Sequence, residues 1–169
     1  SKYSSRYDRF KAGDIAPAFS LGNAGGALMD LNVYNIDYVV NLFGRPKDVR
    51  YFPNIERSID TSGICLLDYE DFKVVCIGAK DSSASLVNSI QGEDGTIEIP
   101  DSLGSFGSYK IKKTGRDYES HNENEDKSRL YYEFVEFEKI IRTRDMDRVE
   151  KLKEITLITA ETLNQARIE

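Results

Sequence analysis

Between residues 26 and 43, apolar side chains recur every three or four positions, which predicts an amphipathic helix. We expect it to end at Gly44-Arg45-Pro46, because glycine terminates helices and proline prevents their continuation. At about 100° per residue, Asp30, Tyr34, Asp37 and Asn41 form one polar stripe. The apolar residues expected to face a sheet are Leu28, Leu31, Val39, Leu42 and Phe43.

The next stretch alternates in the manner of strands. Lys47–Phe52 reads as one strand, and the runs Ile64–Tyr69 and Phe72–Ile77 form a predicted hairpin about Glu70-Asp71. That turn sets Cys65 opposite Cys76, Leu67 opposite Val74, and Asp68 opposite Lys73 as a favourable charge pair. A turn one residue later keeps both cysteines on one face but makes them diagonal.

The remaining pattern completes an α+β expectation. The first ten residues are expected to form an edge strand, and a tail from Glu119 to Lys127 is expected to be the most mobile part. Further strands are predicted at 86–91, 96–100 and about 108–112, and helices at 130–142 and 146–166. The sequence thus predicts one domain over residues 1–169, a two-layer sandwich. Its open, mostly antiparallel or mixed sheet has five or six strands, with helices on one face.

Composition narrows the partners. The net charge of −6 argues against nucleic acid, which requires clustered Lys and Arg. No apolar run approaches the roughly 20 residues that span a bilayer, and no signal peptide is visible, so the cytoplasm is the expected location. There both cysteines are expected to be buried and reduced, although a disulfide between them is geometrically conceivable. The spacing of Cys and His predicts no metal site.

Candidate chemistry lies at the start of the first predicted helix. Asp30 and Tyr34 are four residues apart, which places a carboxylate and a phenol on one helical face. On pattern alone, a solvated helix face explains this stripe better than a site does. Gly25-Gly26 shifts that balance, because paired glycines permit close approach of a ligand or of another domain.

The run from Gly25 to Asp37 resembles the Gly-Gly-x-x-x-Asp-x-x-x-(His/Tyr) signature of the Gfo/Idh/MocA oxidoreductases, in their substrate-binding half. Asp60-Thr61-Ser62-Gly63 and Tyr69-Glu70-Asp71 fit the hairpin that follows in this family. Residues 90–100 look like its Gly-x-x-Gly-x-Ile-x-Ile strand–turn–strand. The resemblance covers nearly the whole chain and implies a C-terminal domain of this type.

The resemblance implies that Asp30 orients the substrate and polarises its reacting hydroxyl, with Tyr34 as general acid/base where many members have histidine. Members similar to dihydrodiol dehydrogenase and glucose–fructose oxidoreductase have tyrosine there. A phenol, with an ordinary pKa near 10, is a poor base unless a cation lowers it. In the family that cation is the lysine of a Glu-Lys-Pro motif in the Rossmann domain. Asn32 stands where many relatives have glycine.

These 169 residues contain neither Glu-Lys-Pro nor Gly-x-Gly-x-x-Gly after a strand. The resemblance therefore implies that NAD or NADP binds to a Rossmann domain that this sequence lacks. No cofactor is expected on this part, which is expected to be inactive alone. The substrate implied is a sugar, polyol or diol, whose secondary alcohol is oxidised.

Further residues follow from the same resemblance. The substrate-binding residues that it implies are Gly25, Gly26, Asp37, Lys80, Asp81 and Ser82. For the last three, an ordinary polar loop is the competing explanation. A homodimer or higher oligomer through the uncovered sheet face is also implied, since the predicted hairpin has no fully polar face. The alternative hypotheses are a non-catalytic sensor or scaffold and a free-standing small-molecule-binding domain.

Overall fold

The computed structural model of the chain describes residues 2–85, 88–100, 102–103, 107–123, 127–128 and 130–167. Within these ranges lie four α-helices and seven strands in two antiparallel sheets, which confirms the α+β class. The strands occupy two sheets, of three and four strands, where the pattern predicted a single sheet. The elements are α1 (Ser5–Lys11), α2 (Val33–Phe43), β1 (Asp48–Glu56), β2 (Ile59–Asp68), β3 (Lys73–Ala79), β4 (Asn88–Gly92), β5 (Gly95–Ile99), β6 (Ser108–Lys113), β7 (Tyr118–Asn122), α3 (Tyr131–Thr143) and α4 (Met146–Arg167).

The chain divides into two compact units, residues 1–84 with 150–169, and residues 85–149. In the first unit, the sheet order β1-β2-β3 places the predicted hairpin in the register expected for a Glu70-Asp71 turn. Cys65 lies opposite Cys76, and Lys73 Nζ lies 2.6 Å from Asp68 Oδ1. Both thiols are buried and free.

One face of this sheet carries the core of the first unit. Apolar residues of α2 and of the C-terminal half of α4 pack on inward-facing residues of β1, β2 and β3. The buried members are Leu28, Ile36, Val39, Val40, Val49, Tyr51, Cys65, Leu67, Tyr69, Cys76, Ile158, Leu163 and Ala166. Helices therefore cover one face of this sheet, as two-layer packing requires.

The first predicted helix is confirmed, with one irregularity. A π-helical turn, Leu28–Asn32, runs directly into α2, which ends at Gly44 in a positive-φ conformation. The prediction that Leu42 faces the sheet is wrong, because this side chain is exposed. Phe43 is 40% exposed, and its ring contacts those of Tyr69 and Phe72. The angular count assumed a uniform α-helix, whereas a π turn has i→i+5 hydrogen bonds and shifts the phase of later residues. Ile36 and Val40 are buried instead.

The predicted N-terminal edge strand is also wrong. Residues 5–11 form α1 because the aromatic residues Tyr3, Tyr7 and Phe10 are spaced at helical intervals. Tyr7 and Phe10 stack on Phe19 of a short 3₁₀ turn, with ring centroids 6.1 and 4.9 Å apart. The N-terminus therefore adds a small aromatic cluster to the first unit rather than a strand.

The second unit contains a four-stranded meander, β4-β5-β6-β7. The turn at Gly92–Gly95 and the strand near residue 108 are confirmed. Residues 118–122 form β7, which includes the first four residues of the tail expected at 119–127. In this strand His121 stacks on Tyr109 at 4.7 Å. Residues 86–87 of the predicted strand and 124–126 of that tail lie outside the described residues.

The second unit also contains α3. Its apolar stripe, which an amphipathic helix normally buries, is mostly exposed. Ile140 is buried, whereas the large apolar side chains around it are exposed. These exposed residues are Tyr131, Tyr132, Phe134, Val135, Phe137 and Ile141. The helix itself is confirmed; the burial of its stripe is not.

Candidate functional site

The start of the first long helix is held by a carboxylate from the sheet. Asp60, on β2, accepts hydrogen bonds at Oδ2 from the Leu28 backbone N–H and from the Tyr51 hydroxyl, each at 2.7 Å. This satisfies one of the N–H groups that a helix N-terminus leaves without an intrahelical partner. It also places negative charge where the helix dipole favours it.

Close packing accounts for the glycine pair before this helix. Gly26 has φ +101°, and a Cβ there would lie 1.9 Å from Asp60 Oδ1. A Cβ on Gly25 would lie 2.7–2.8 Å from backbone atoms of Ala18 and Ser20. The close approach inferred from the pair therefore involves the chain's own backbone and Asp60, and both glycines are buried.

Asp30, on the π turn, forms an ion pair with a buried lysine. Its Oδ2 lies 2.7 Å from Nζ of Lys80. The Lys80 side chain is 2% exposed, whereas that of Asp30 is 44% exposed. The pair therefore has one desolvated partner and one that faces solvent. Asp30 Oδ1 has no hydrogen-bond partner within the described part of the chain.

The ammonium of Lys80 has two further contacts. Nζ donates to the Ala18 carbonyl at 2.5 Å and lies 4.8 Å from the centroid of the Phe19 ring. Both partners belong to the 3₁₀ turn Pro17–Phe19. A cation over an aromatic face within about 6 Å is attracted by the ring quadrupole. Carbonyl, carboxylate and ring together compensate the burial of this charge.

The backbone at Lys80 continues the sheet beyond the end of β3. Its N–H donates to the Thr61 carbonyl at 2.8 Å, and its carbonyl accepts from the Ser4 N–H at 2.9 Å. Lys80 is thus anchored on both sides by β2 and by the segment before α1. A side chain on such a rigid support has a well-defined position.

Tyr34 lies one turn after Asp30 and is 53% exposed. Its hydroxyl has no hydrogen-bond partner among the described residues. The structure therefore places a solvent-facing carboxylate and a solvent-facing phenol on neighbouring turns of one helix. Their sequence spacing predicted this arrangement.

The other predicted site residues have different surroundings. Asp37 is exposed and accepts a hydrogen bond from Thr159 of α4 at 3.1 Å. Asp81 accepts hydrogen bonds from the hydroxyls of Thr61, Ser62 and Ser82 at 2.7–3.0 Å. Burial raises the pKa of the Asp81 carboxyl, but these three hydrogen bonds outweigh it and leave the pKa below its usual value. The Asp81 carboxylate is therefore fixed by hydroxyl groups of β2 and of the neighbouring Ser82.

The buried thiols do not add a nucleophile. Burial raises the pKa of Cys65 to about 11 and that of Cys76 to about 12, the second also through the nearby Cys65. Both therefore remain protonated near neutral pH. Within the ranges that the structure describes, no group of three or more His, Cys, Asp or Glu side chains could hold a metal ion. Nor is any helix in those ranges long and apolar enough to cross a membrane.

Sequence reasoning missed two features of the site. The pairing of Lys80 with Asp30, 50 positions away, has no local signal in the sequence. Asp60 belongs to a family motif in the sequence, whereas the structure gives it the role of helix cap. A charged residue directly after the apolar run Val74–Ala79 was the available hint for Lys80, because binding residues are frequent in the segments that follow strands.

Comparisons with known proteins agree on one class of enzyme. The chain is 35% identical over 167 residues to scyllo-inositol 2-dehydrogenase (NADP(+)) IolU of Bacillus subtilis, across 98% of this chain and 51% of that protein. It is 36% identical over 99 residues to the uncharacterized oxidoreductase YgjR of Escherichia coli, across 58% of this chain and 30% of that protein. The chain thus spans about half the length of the first relative. No protein-family model matches it.

Among solved structures, an aldose-aldose oxidoreductase from Caulobacter crescentus, complexed with glycerol, is similar in fold. Its TM-score is 0.63 at 20% identity, over 85% of this chain and 46% of that one. At this level of identity, the likeness concerns the fold alone.

Proposed function

Because the chain is homologous to oxidoreductases of the Gfo/Idh/MocA type and matches a C-terminal domain of them, we propose that it is the substrate-binding half of an NAD- or NADP-dependent dehydrogenase. The substrate class is a sugar, polyol or diol with a secondary alcohol. The observation that carries the proposal is the solvent-facing pair Asp30 and Tyr34, one turn apart and backed by the Lys80 ammonium.

The roles of the two side chains follow from their chemistry. Asp30 Oδ2 is taken by Lys80, so Oδ1 is the acceptor available to a substrate hydroxyl. Tyr34 presents a phenol that can exchange a proton with the hydroxyl that is oxidised. Gly25 and Gly26 keep the helix start close to Asp60, which fixes the backbone that carries Asp30. Lys80, Asp81 and Ser82 form the adjoining strand end.

The dinucleotide is assigned to a part of the enzyme other than these residues, since they include no Gly-x-Gly-x-x-Gly motif. When bound, the dinucleotide supplies the hydride acceptor. This chain's own residues bind the alcohol, orient it and handle its proton. This division between a substrate-binding half and a cofactor-binding half agrees with the coverage of IolU, since the chain matches 51% of that protein.

The uncovered face of the β1–β3 sheet supports a second part of the proposal, self-association. Phe52, Ile64 and Ile77 lie side by side in register on this face and are exposed, as is Val75. A contiguous apolar patch on a sheet face is typical of an interaction surface. We assign it to a second copy of the protein, as a homodimer or a higher homo-oligomer. The cytoplasm is the proposed location.

The test of the activity uses the enzyme that contains this chain, with scyllo-inositol as the probe alcohol and NADP⁺ or NAD⁺ as oxidant. Tyr34→Phe removes the exchangeable proton and should lower kcat by on the order of 10²–10⁴. The matched control is Tyr132→Phe, which changes another half-exposed tyrosine, 50% against 53%. We expect this control to leave kcat unchanged.

Two outcomes would contradict the proposal. Equal kcat for Tyr34→Phe and the control would remove Tyr34 from the chemistry. Failure of the unmodified enzyme to oxidise scyllo-inositol and a panel of sugars and diols, together with measurable binding of one of them, would favour the sensor or binding-domain alternative.

A further inference from the structure

We infer that Lys80 is a positioning residue that acts through Asp30 and does not itself contact the substrate. The inference rests on the proposed function, since it assigns how the carboxylate of that site is held. It revises the expectation that Lys80 binds substrate directly. Its basis is the set of contacts that the Lys80 ammonium makes and the burial of its side chain.

The Lys80 ammonium is held by the protein's own groups and enclosed by them. A lysine has three N–H donors. One is directed to Ala18 O at 2.5 Å and one to Asp30 Oδ2 at 2.7 Å, while the Phe19 ring lies 4.8 Å from Nζ. With 2% exposure, the side chain also has no open route to a ligand. Substrate can therefore meet Asp30 but not Lys80.

The asymmetry of the pair shows what the contact does for Asp30. Only Oδ2 is bound, while Oδ1 remains available on a side chain that is 44% exposed. An exposed aspartate would otherwise sample several rotamers, and fixing one of them costs entropy at the moment of binding. The buried ammonium removes that cost beforehand and presents Oδ1 in one direction. Preorganisation of this kind is how binding groups hold a reacting atom in line.

Stability alone does not account for such a pair. An ion pair with a desolvated lysine gives little net stability relative to an apolar side chain of similar volume, because the desolvation of the ammonium offsets the Coulomb attraction. Methionine could fill the space beside Phe19 without that cost. The position of the carboxylate is what Lys80 provides and methionine would not.

The test is a double-mutant cycle in the enzyme that contains this chain, with scyllo-inositol and NADP⁺ as probes. Lys80→Met should lower kcat/KM by on the order of 10², since a small misplacement of a positioning group has that effect. The loss should lie mainly in kcat. Introduced into Asp30→Ala, the same change should alter kcat/KM by no more than about twofold, because there is no carboxylate left to position. If Asp30→Ala does not fold, Asp30→Leu, which also has no acceptor for the ammonium, supplies the second background.

The matched control is Lys73→Met, which breaks an exposed Lys–Asp pair on the same sheet, 2.6 Å long, outside the site. It should leave kcat/KM unchanged. A Lys80→Met enzyme that behaves like this control would overturn the inference. So would an equal loss in both backgrounds, because additivity means that Lys80 does not act through Asp30.

A structural measurement separates this inference from the proposed function. In a crystal structure of Lys80→Met, we expect the Asp30 carboxylate to leave its present rotamer or to occupy several. An unmoved carboxylate would overturn the positioning role whatever the activity. An enzyme without turnover on any alcohol would refute the proposed function, and the crystal comparison would still decide the role of Lys80.

Discussion

Gly26→Ala tests whether the glycine pair serves the chain's own packing. At Gly26 the backbone has φ +101°, and an added Cβ would lie 1.9 Å from Asp60 Oδ1 and 2.9 Å from its Cγ. Asp60 must therefore move. That movement breaks the hydrogen bonds to the Leu28 N–H and the Tyr51 hydroxyl, both 2.7 Å long. The substitution thus combines backbone strain with loss of the helix cap.

The magnitude is the sum of three effects. Alanine in this backbone region costs about 1–3 kcal/mol. Loss of the cap at Leu28 costs about 0.5–2 kcal/mol. Loss of a hydrogen bond to a charged group, here from Tyr51, costs about 1.5–3 kcal/mol. Partial relaxation of Asp60 keeps the total near 3–6 kcal/mol, a large share of the stability of a typical domain.

Gly44→Ala is the matched control. Gly44 also has a positive φ, +76°, but a Cβ there would meet nothing within 4 Å. It therefore reports backbone strain without a clash. Thermal unfolding followed by calorimetry should place the Tm of Gly26→Ala below that of Gly44→Ala by roughly 5–10 °C, which corresponds to about 2–3 kcal/mol.

Removing the Asp60 side chain should remove the difference in Tm between Gly26→Ala and Gly44→Ala. In an Asp60→Ala background the cap is already lost, so alanine at position 26 should cost no more than alanine at position 44. Equal Tm values for the two single variants would refute the clash with Asp60. A normal Tm combined with a raised KM would instead indicate that Gly26 accommodates a ligand.

Three further predictions concern the thiols, the ion pair and the sheet face. The folded-state pKa values of Cys65 and Cys76, about 11 and about 12, lie above the ordinary thiol value of 9.0. Their contribution to stability is therefore complete below pH 9 and is lost as the pH rises toward these values. Denaturant unfolding at pH 8 and pH 10 should differ by about 1.4 kcal/mol per thiol, and the double alanine variant should lack this difference. Asp30→Ala should lower the Tm more than Lys80→Met does, since it leaves a charge with 2% exposure unpaired, and Lys80→Met should rescue it. The reverse order in calorimetry would contradict this account of the pair. Phe52→Lys should shift the protein to monomer in sedimentation analysis, whereas an unchanged mass would exclude this face as the interface.

The local pattern of the sequence was sufficient for much of the first unit. The helix from 26 to 43, its end at Gly44 and the pairing of Cys65 with Cys76 depend on neighbours within a few positions or on one tight turn. Periodicity and turn chemistry report such features directly. The exposure of Asp30 and Tyr34 belongs to the same class, since both lie on the polar stripe of an amphipathic helix.

Elsewhere the local pattern was not sufficient. The strand predicted at residues 1–10 is a helix in the structure. Its aromatic residues have helical spacing, and the stacking of Tyr7 and Phe10 on Phe19 stabilises α1. The phase of α2 beyond Asp30 depends on a π turn, which periodicity counted at 100° per residue does not include. The count at 100° per residue therefore placed Leu42 on the wrong face of the helix.

The sequence by itself determined which helix carries the candidate site and that Asp30 and Tyr34 on it face solvent. Only the tertiary structure decided what holds them. Asp60 caps the helix from β2, and Lys80 reaches Asp30 from the end of β3, 32 and 50 positions from their partners. Such contacts arise because the sheet brings distant strand ends to the start of one helix, and no local period encodes that meeting. Burial then turns Lys80 from an ordinary surface charge into a fixed support for the carboxylate.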